Sequence, residues 1–158
     1  MSAQPAEKWD ALIRGENCPV CAPRADNNEY HDKVADLGVS TLYLVRNQTY
    51  RGYCVMIFND RHVTGLEHLT QAEHEAFSAD LRRAAQAIHA TVQPDLMNYA
   101  TLGNVIPHLH YHLIPRYKND PRWGAPIWES ELSTMQVTTL KSAEFTKLRD
   151  DLKAAVLA

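Results

Sequence analysis

The 158-residue chain is short of cysteine, of net charge and of long apolar runs, and each shortage removes a class of protein. Three cysteines, two of them in Cys18-Pro-Val-Cys21 and the third alone at Cys54, do not make a secreted disulfide framework. A formal charge of −3 gives no bulk electrostatic grip on nucleic acid or an anionic membrane, so an anionic ligand has to be held by local groups. No apolar run approaches the roughly 20 residues that span a bilayer. The start, MSAQPAEKWD, lacks the basic and apolar regions of a signal peptide. The expectation is a cytoplasmic protein with neither nucleic-acid nor membrane partners. Repeats, low-complexity blocks and linker-like stretches are missing too, and 45% hydrophobic content suffices for a core, so residues 1–158 are expected to form a single domain.

What is present is an alternation of helix and strand signals. Trp9, Leu12 and Ile13 share one side of a short helix over Glu7 to Arg14, which Gly15 stops. Val39 to Val45 and Gly52 to Phe58 are rich in β-branched and aromatic residues and predict antiparallel strands joined through Asn47 to Arg51. Thr70 followed by Glu73 is a capping box for a long helix with Phe77, Leu81, Ala84, Ile88 and Val92 on one face, ended at Pro94. Leu96 to Leu102 and His108 to Pro115 predict two more strands, separated by a turn at Gly103-Asn104. A Pro- and Trp-bearing loop over Asn119 to Trp128 leads to a closing helix, expected at the periphery, with Phe145, Leu148, Leu152 and Val156 as its stripe.

The chemistry concentrates in His108-Leu109-His110-Tyr111-His112-Leu113-Ile114. Successive strand side chains point to opposite faces, so three imidazoles at every second position are expected on one face, with Leu109, Tyr111 and Leu113 packed on the other. Read as a helix, the alternation would scatter the histidines around the cylinder. Three histidines in register suit phosphate chemistry. The spacing alone leaves open a zinc site with alternate strand histidines as ligands.

This segment resembles the signature of the histidine triad (HIT) superfamily, His-φ-His-φ-His-φ-φ with φ hydrophobic. The resemblance extends over roughly residues 18 to 117, through Asn98 to Asn104, the strand ending at His62-Val63, and the cysteine pair. It implies an α+β domain with an antiparallel five-stranded sheet, one long helix and peripheral helices, residues 118–158 adding a C-terminal loop and helix. It also implies a homodimer. The implied activity is a nucleotide hydrolase or transferase acting on a small-molecule nucleotide substrate, with His110 attacking the α-phosphorus to form a nucleotidyl-histidine. A backbone carbonyl on the other ring nitrogen would fix the His110 tautomer, and His112 in its charged form would stabilise phosphate oxygens or protonate the leaving group. Asn98 and Asn104 are the implied phosphate donors, and Asn47 stands where relatives place an acidic ribose-binding residue. Val105 departs from the pattern, since many members carry a serine or threonine there.

Cys18 and Cys21 have the spacing of half a zinc site. A redox dithiol is the competing reading, but that motif belongs between the strand and helix of a βαβ unit, which this region lacks. Relatives with the pair complete it with two histidines, which implies one structural zinc per chain held by Cys18, Cys21, His62 and His108. His31, His68, His74 and His89 are expected in solvent, Cys54 as a small buried hydrophobe, Arg116 in a surface ion pair, and Trp123 and Trp128 in ordinary packing.

Overall fold

The computed structural model describes residues 6–128 and 137–158; residues 1–5 and 129–136, inside the expected single domain, lie outside the described residues. Helix α1 (Ala6–Ile13) is followed by strands β1 (His31–Asp36), β2 (Ser40–Val45) and β3 (Cys54–Phe58), helix α2 (Gln71–Val92), strands β4 (Leu96–Ala100) and β5 (His110–Arg116), and helix α3 (Ser142–Leu157). The strands form one antiparallel sheet in the order β1-β2-β3-β5-β4, the expected α+β architecture.

The two faces of the sheet have different tasks. Leu42, Leu44, Cys54, Met56, Phe58 and Leu113 project to one side and pack against α2 and α3 in a single core. Opposite partners in an antiparallel ladder share a face. The pairings Val55 with His112, Ile57 with His110, and Ala100 with His112 therefore place His110 and His112 on the side away from the helices. A one-residue slip would carry both imidazoles into the core, so the buried pattern of β3 and β5 fixes where the chemistry sits.

The expected capping box opens α2: the Thr70 side chain accepts from the Glu73 amide (3.3 Å), and the Glu73 carboxylate accepts from the Thr70 amide (2.7 Å). One buried charge on α2 does structural work. Asp80 accepts from the amides of Gly38 (2.9 Å) and Val39 (2.8 Å) and from the Ser40 hydroxyl (2.7 Å), tying the β1–β2 turn to the helix. The closing helix, expected at the periphery, lies against β1 and α2, and Phe145, Leu148, Leu152 and Val156 all enter the main core. Among the described residues no helix is long and apolar enough to cross a membrane.

Two local expectations are corrected. The residues themselves signalled four strands, and the fifth is β1, with sequence HDKVAD; a bulge between Lys33 and Ala35 buries Val34 and Ala35 in succession and breaks the alternation that marks a strand. His31, expected in solvent, begins this strand half-buried with its ring 4.4 Å from that of Tyr43. His68, His74 and His89 are exposed as expected.

Candidate active site and metal centre

The residues that could hold a metal are brought together by a helix stop. The amides of Gly15 and Glu16 reach back to the carbonyls of Leu12 (3.0 Å) and Ala11 (2.9 Å), the paired pattern that closes a helix on a left-handed residue. Gly15 has φ +80°, and a Cβ there would sit 2.9 Å from Cγ of His62, so both the turn and the imidazole require glycine. The chain then turns tightly, with the Cys21 amide donating to the Cys18 carbonyl (3.1 Å).

Cys21 Sγ lies 3.4 Å from Nδ1 of both His62 and His108, Cys18 Sγ lies 3.7 Å from His108 Nδ1, and the four donor atoms all fall within 4.8 Å of one another. Tetrahedral zinc with bonds of about 2.0–2.3 Å needs ligand atoms about 3.3–3.8 Å apart, the range in which these three sulfur–nitrogen separations fall. The second nitrogens are committed as well: His62 Nε2 donates to the Ile13 carbonyl (3.1 Å) and His108 Nε2 to the Phe58 carbonyl (2.8 Å). Those bonds leave Nδ1 unprotonated and aimed at the sulfurs, as ligand imidazoles require. Burial lowers the His108 imidazole's hold on a proton, which also favours the neutral form.

His108 joins the cysteine cluster, the grouping that the resemblance implies. It precedes β5, and its ring lies edge-on to that of His62, with the centroids 5.3 Å apart. The remaining two histidines face each other, His110 Nε2 lying 3.2 Å from His112 Nε2. A carbonyl can only accept, so the 2.6 Å contact to the His108 carbonyl fixes the proton of His110 on Nδ1. Nε2 of neutral His110 is then a lone pair. The expected carbonyl lock is present, and its carbonyl belongs to His108, a member of the cysteine–histidine cluster.

Other expectations change. Burial, with a contribution from His110, lowers His112 to about 4, which favours its neutral form over the cation expected from the motif. Arg116, expected at the surface, is 3% exposed. It donates to Asp120 (2.8 and 3.1 Å), to Asn98 Oδ1 (2.7 Å) and to the carbonyls of Ala125 (3.0 Å) and Arg122. Burial pushes the Asp120 carboxyl up, but Arg116 and the amides of Arg122 and Tyr117 more than offset this and hold it below its ordinary range. The hub fixes the loop that carries Trp123 and Trp128, and the Trp128 ring stands 5.2 Å from His112. A cavity of about 750 Å³ lies beside this ring, lined by Leu96, Asn98, Ile114, Arg116 and both tryptophans among others.

Of the expected ligand contacts, Asn98 lines that cavity on the strand next to His112, with its side-chain oxygen taken by Arg116. Asn104 is exposed in the loop before the triad. Asn47 uses its side-chain oxygen on the amide and hydroxyl of Thr49 (3.1 and 2.8 Å), a local turn. Tyr53 was not anticipated: its hydroxyl lies 2.7 Å from His112 Nδ1. Alternation carried one residue upstream of β3 would have found it, because Tyr53, Val55 and Ile57 alternate with core-facing Cys54, Met56 and Phe58.

Residues 27–119 match the family model described as HIT domain. The fold is similar to that of a histidine triad protein from Bradyrhizobium japonicum (TM-score 0.75, 21% identity, covering 87% of this chain and 99% of that one). It is also similar to a hypothetical histidine triad nucleotide-binding protein from Sulfolobus tokodaii (TM-score 0.60, 14% identity, 80% and 84%). A third likeness is to a Zn-bound histidine triad family protein from Mycobacterium smegmatis (TM-score 0.54, 15% identity, 95% and 92%). No curated protein matches the sequence.

Proposed function

The chain belongs to the HIT domain family, whose model covers more than half of its length, and from that premise we propose that it is a nucleotidyl hydrolase or transferase working through His110. The observation that carries the proposal is the carbonyl lock: Nδ1–H of His110 is held by the His108 carbonyl, which leaves Nε2 as a nucleophile without a strong base beside it. His110 Nε2 attacks the α-phosphorus of a nucleotide, forming a P–N bond as the bond from phosphorus to the leaving group breaks. The leaving group takes the bonding pair and a proton from solvent. Water or another acceptor then attacks the nucleotidyl-histidine, gives up its proton to solvent, returns the pair to Nε2 and releases a nucleoside monophosphate or its transfer product. His112 offers its N–H to phosphate oxygens in the transition state, where placed donors matter most. Dinucleoside polyphosphates, nucleoside phosphoramidates and mixed anhydrides share the bond that this chemistry breaks.

The four-ligand cluster is proposed to hold one structural zinc, which when bound ties the N-terminal segment to the residue whose carbonyl locks His110. The Zn-bound relative supports that reading. We propose a single domain over residues 1–158 and a cytoplasmic homodimer. The edge position of β4 supports pairing, with Leu96, Tyr99 and Leu102 about half exposed along and beyond it. Asn98 and Asn104 are proposed to contact phosphate and Asn47 the ribose.

The test is incubation with diadenosine tetraphosphate and an adenosine phosphoramidate, measuring AMP for the wild type and His110→Ala. AMP release that depends on His110 is expected; no turnover across the panel, or turnover indifferent to the substitution, contradicts the proposal. A catalytically weak nucleotide- or partner-binding module is the second reading, favoured by exposed Val105 standing where a hydroxyl would serve the leaving group. Tight AMP binding without a trapped phosphohistidine would select it.

A further inference from the structure

Tyr53 sits immediately before β3, where its amide donates to the Tyr50 carbonyl (2.9 Å) and its carbonyl accepts from the Val45 amide (3.0 Å). Its ring packs against a small cluster of Tyr50, Ile114 and Ile127, all at most 3% exposed. Backbone and ring together fix the hydroxyl 2.7 Å from His112 Nδ1. Burial pushes the phenol up, so it keeps its proton.

The direction of each hydrogen bond in this row follows by elimination. The His108 carbonyl forces His110 to carry its proton on Nδ1, so Nε2 of neutral His110 is a lone pair. His112 Nε2 lies 3.2 Å from that lone pair and must carry a proton, or two lone pairs would face each other. Nδ1 of neutral His112 is then an acceptor, and the Tyr53 hydroxyl is the donor that satisfies it. Reversing the Tyr53 bond would move the His112 proton to Nδ1 and bring the two Nε2 lone pairs into contact.

We infer that Tyr53 is a positioning residue for the reaction: its hydroxyl holds His112 as the Nε2–H tautomer, so that one N–H faces the site where His110 meets phosphorus. This rests on the reading of His110 as a neutral nucleophile. When substrate enters, the His112 N–H passes from the His110 lone pair to a phosphate oxygen, and the same hydroxyl keeps it pointed there. Without the hydroxyl, His112 is free to place its proton on Nδ1, and the donor facing phosphate is lost.

The test is ¹⁵N NMR of the imidazoles at about pH 7 in the wild type and in Tyr53→Phe, which keeps the packed ring, with His112 assigned by loss of its signals in His112→Asn. The wild type should show His112 protonated on Nε2 and unprotonated on Nδ1, and Tyr53→Phe should populate the Nδ1–H form. On adenosine phosphoramidate, kcat should fall roughly 5- to 100-fold, as for loss of one buried hydrogen bond, with KM within about twofold. An Nδ1–H tautomer in the wild type, an unchanged tautomer in Tyr53→Phe, or a shifted tautomer with unchanged kcat would overturn the inference. If Tyr53→Phe does not fold, the wild-type tautomer alone decides. If the wild type does not turn over phosphoramidate, the hydrolase reading fails while the tautomers still judge Tyr53.

Discussion

The two ends of the histidine strand are anchored by opposite kinds of chemistry. Before β5, His108 joins two thiols and a second imidazole in a cluster whose geometry could hold a cation. At its far end, Arg116 supplies its own cation and is satisfied by Asp120, Asn98 and two carbonyls, with the ion-pair side chains 4% and 3% exposed. One anchor therefore has the ligand set of a metal site, and the other is complete within the chain. Between them, His110 and His112 are the part of the strand left half-open to a ligand. The contrast separates support from chemistry: changes at either end should act on stability, and changes in the middle on turnover.

The largest effect is expected at the metal end. Cys18→Ser or strong chelation should remove a stoichiometric metal, read by elemental analysis, and lower the unfolding free energy by at least about 4 kcal/mol, because binding energy at such sites is folding energy. At the other end, Arg116→Met leaves the buried Asp120 carboxylate without its ionic partner, held only by the amides of Arg122 and Tyr117, and should cost about 3–5 kcal/mol in denaturant melts. That loss should be indifferent to chelators, which sharpens the comparison; a chelator-sensitive Arg116 variant would break it.

A middle-sized effect comes from pH. His112 titrates near 4 in the folded protein against 6.5 when unperturbed, and His31 is lowered in the same direction by burial. Groups held neutral by the fold gain protons on unfolding, so this contribution to stability is fully present above about pH 6.5 and is lost as pH falls toward 4. The melting temperature should drop across that window, and His112→Asn should flatten part of the drop. The smallest effect is expected for Asn104→Ala, exposed in the loop before the triad: a loss of roughly 2- to 10-fold in kcat/KM with an unchanged melting temperature.

The sequence was most legible where one periodicity governed a whole element. The α2 capping box, the core stripe of α3 and the alternation in β5 each translate directly into structure, because a buried face imposes its own spacing. The cysteine pair and His62 were legible through the family resemblance, since no spacing rule joins residues 18 and 62. Strand β1 was not, because its bulge breaks the alternation. Arg116 was misjudged because its burial comes from residues 120–125 folding back over it, a tertiary event that an arginine at a strand end does not announce. The separation of His108 from the two facing imidazoles was, like the cysteine pair, legible through the family resemblance.

The claim on which the account turns is that His110 Nε2 forms a bond to phosphorus. Rapid quenching with an adenosine phosphoramidate, followed by mass spectrometry of the peptide containing residues 110–116, tests it directly. The account predicts one adenylyl group on His110, absent from His110→Ala. Turnover to AMP with no adduct, together with full activity in His110→Ala, would contradict it.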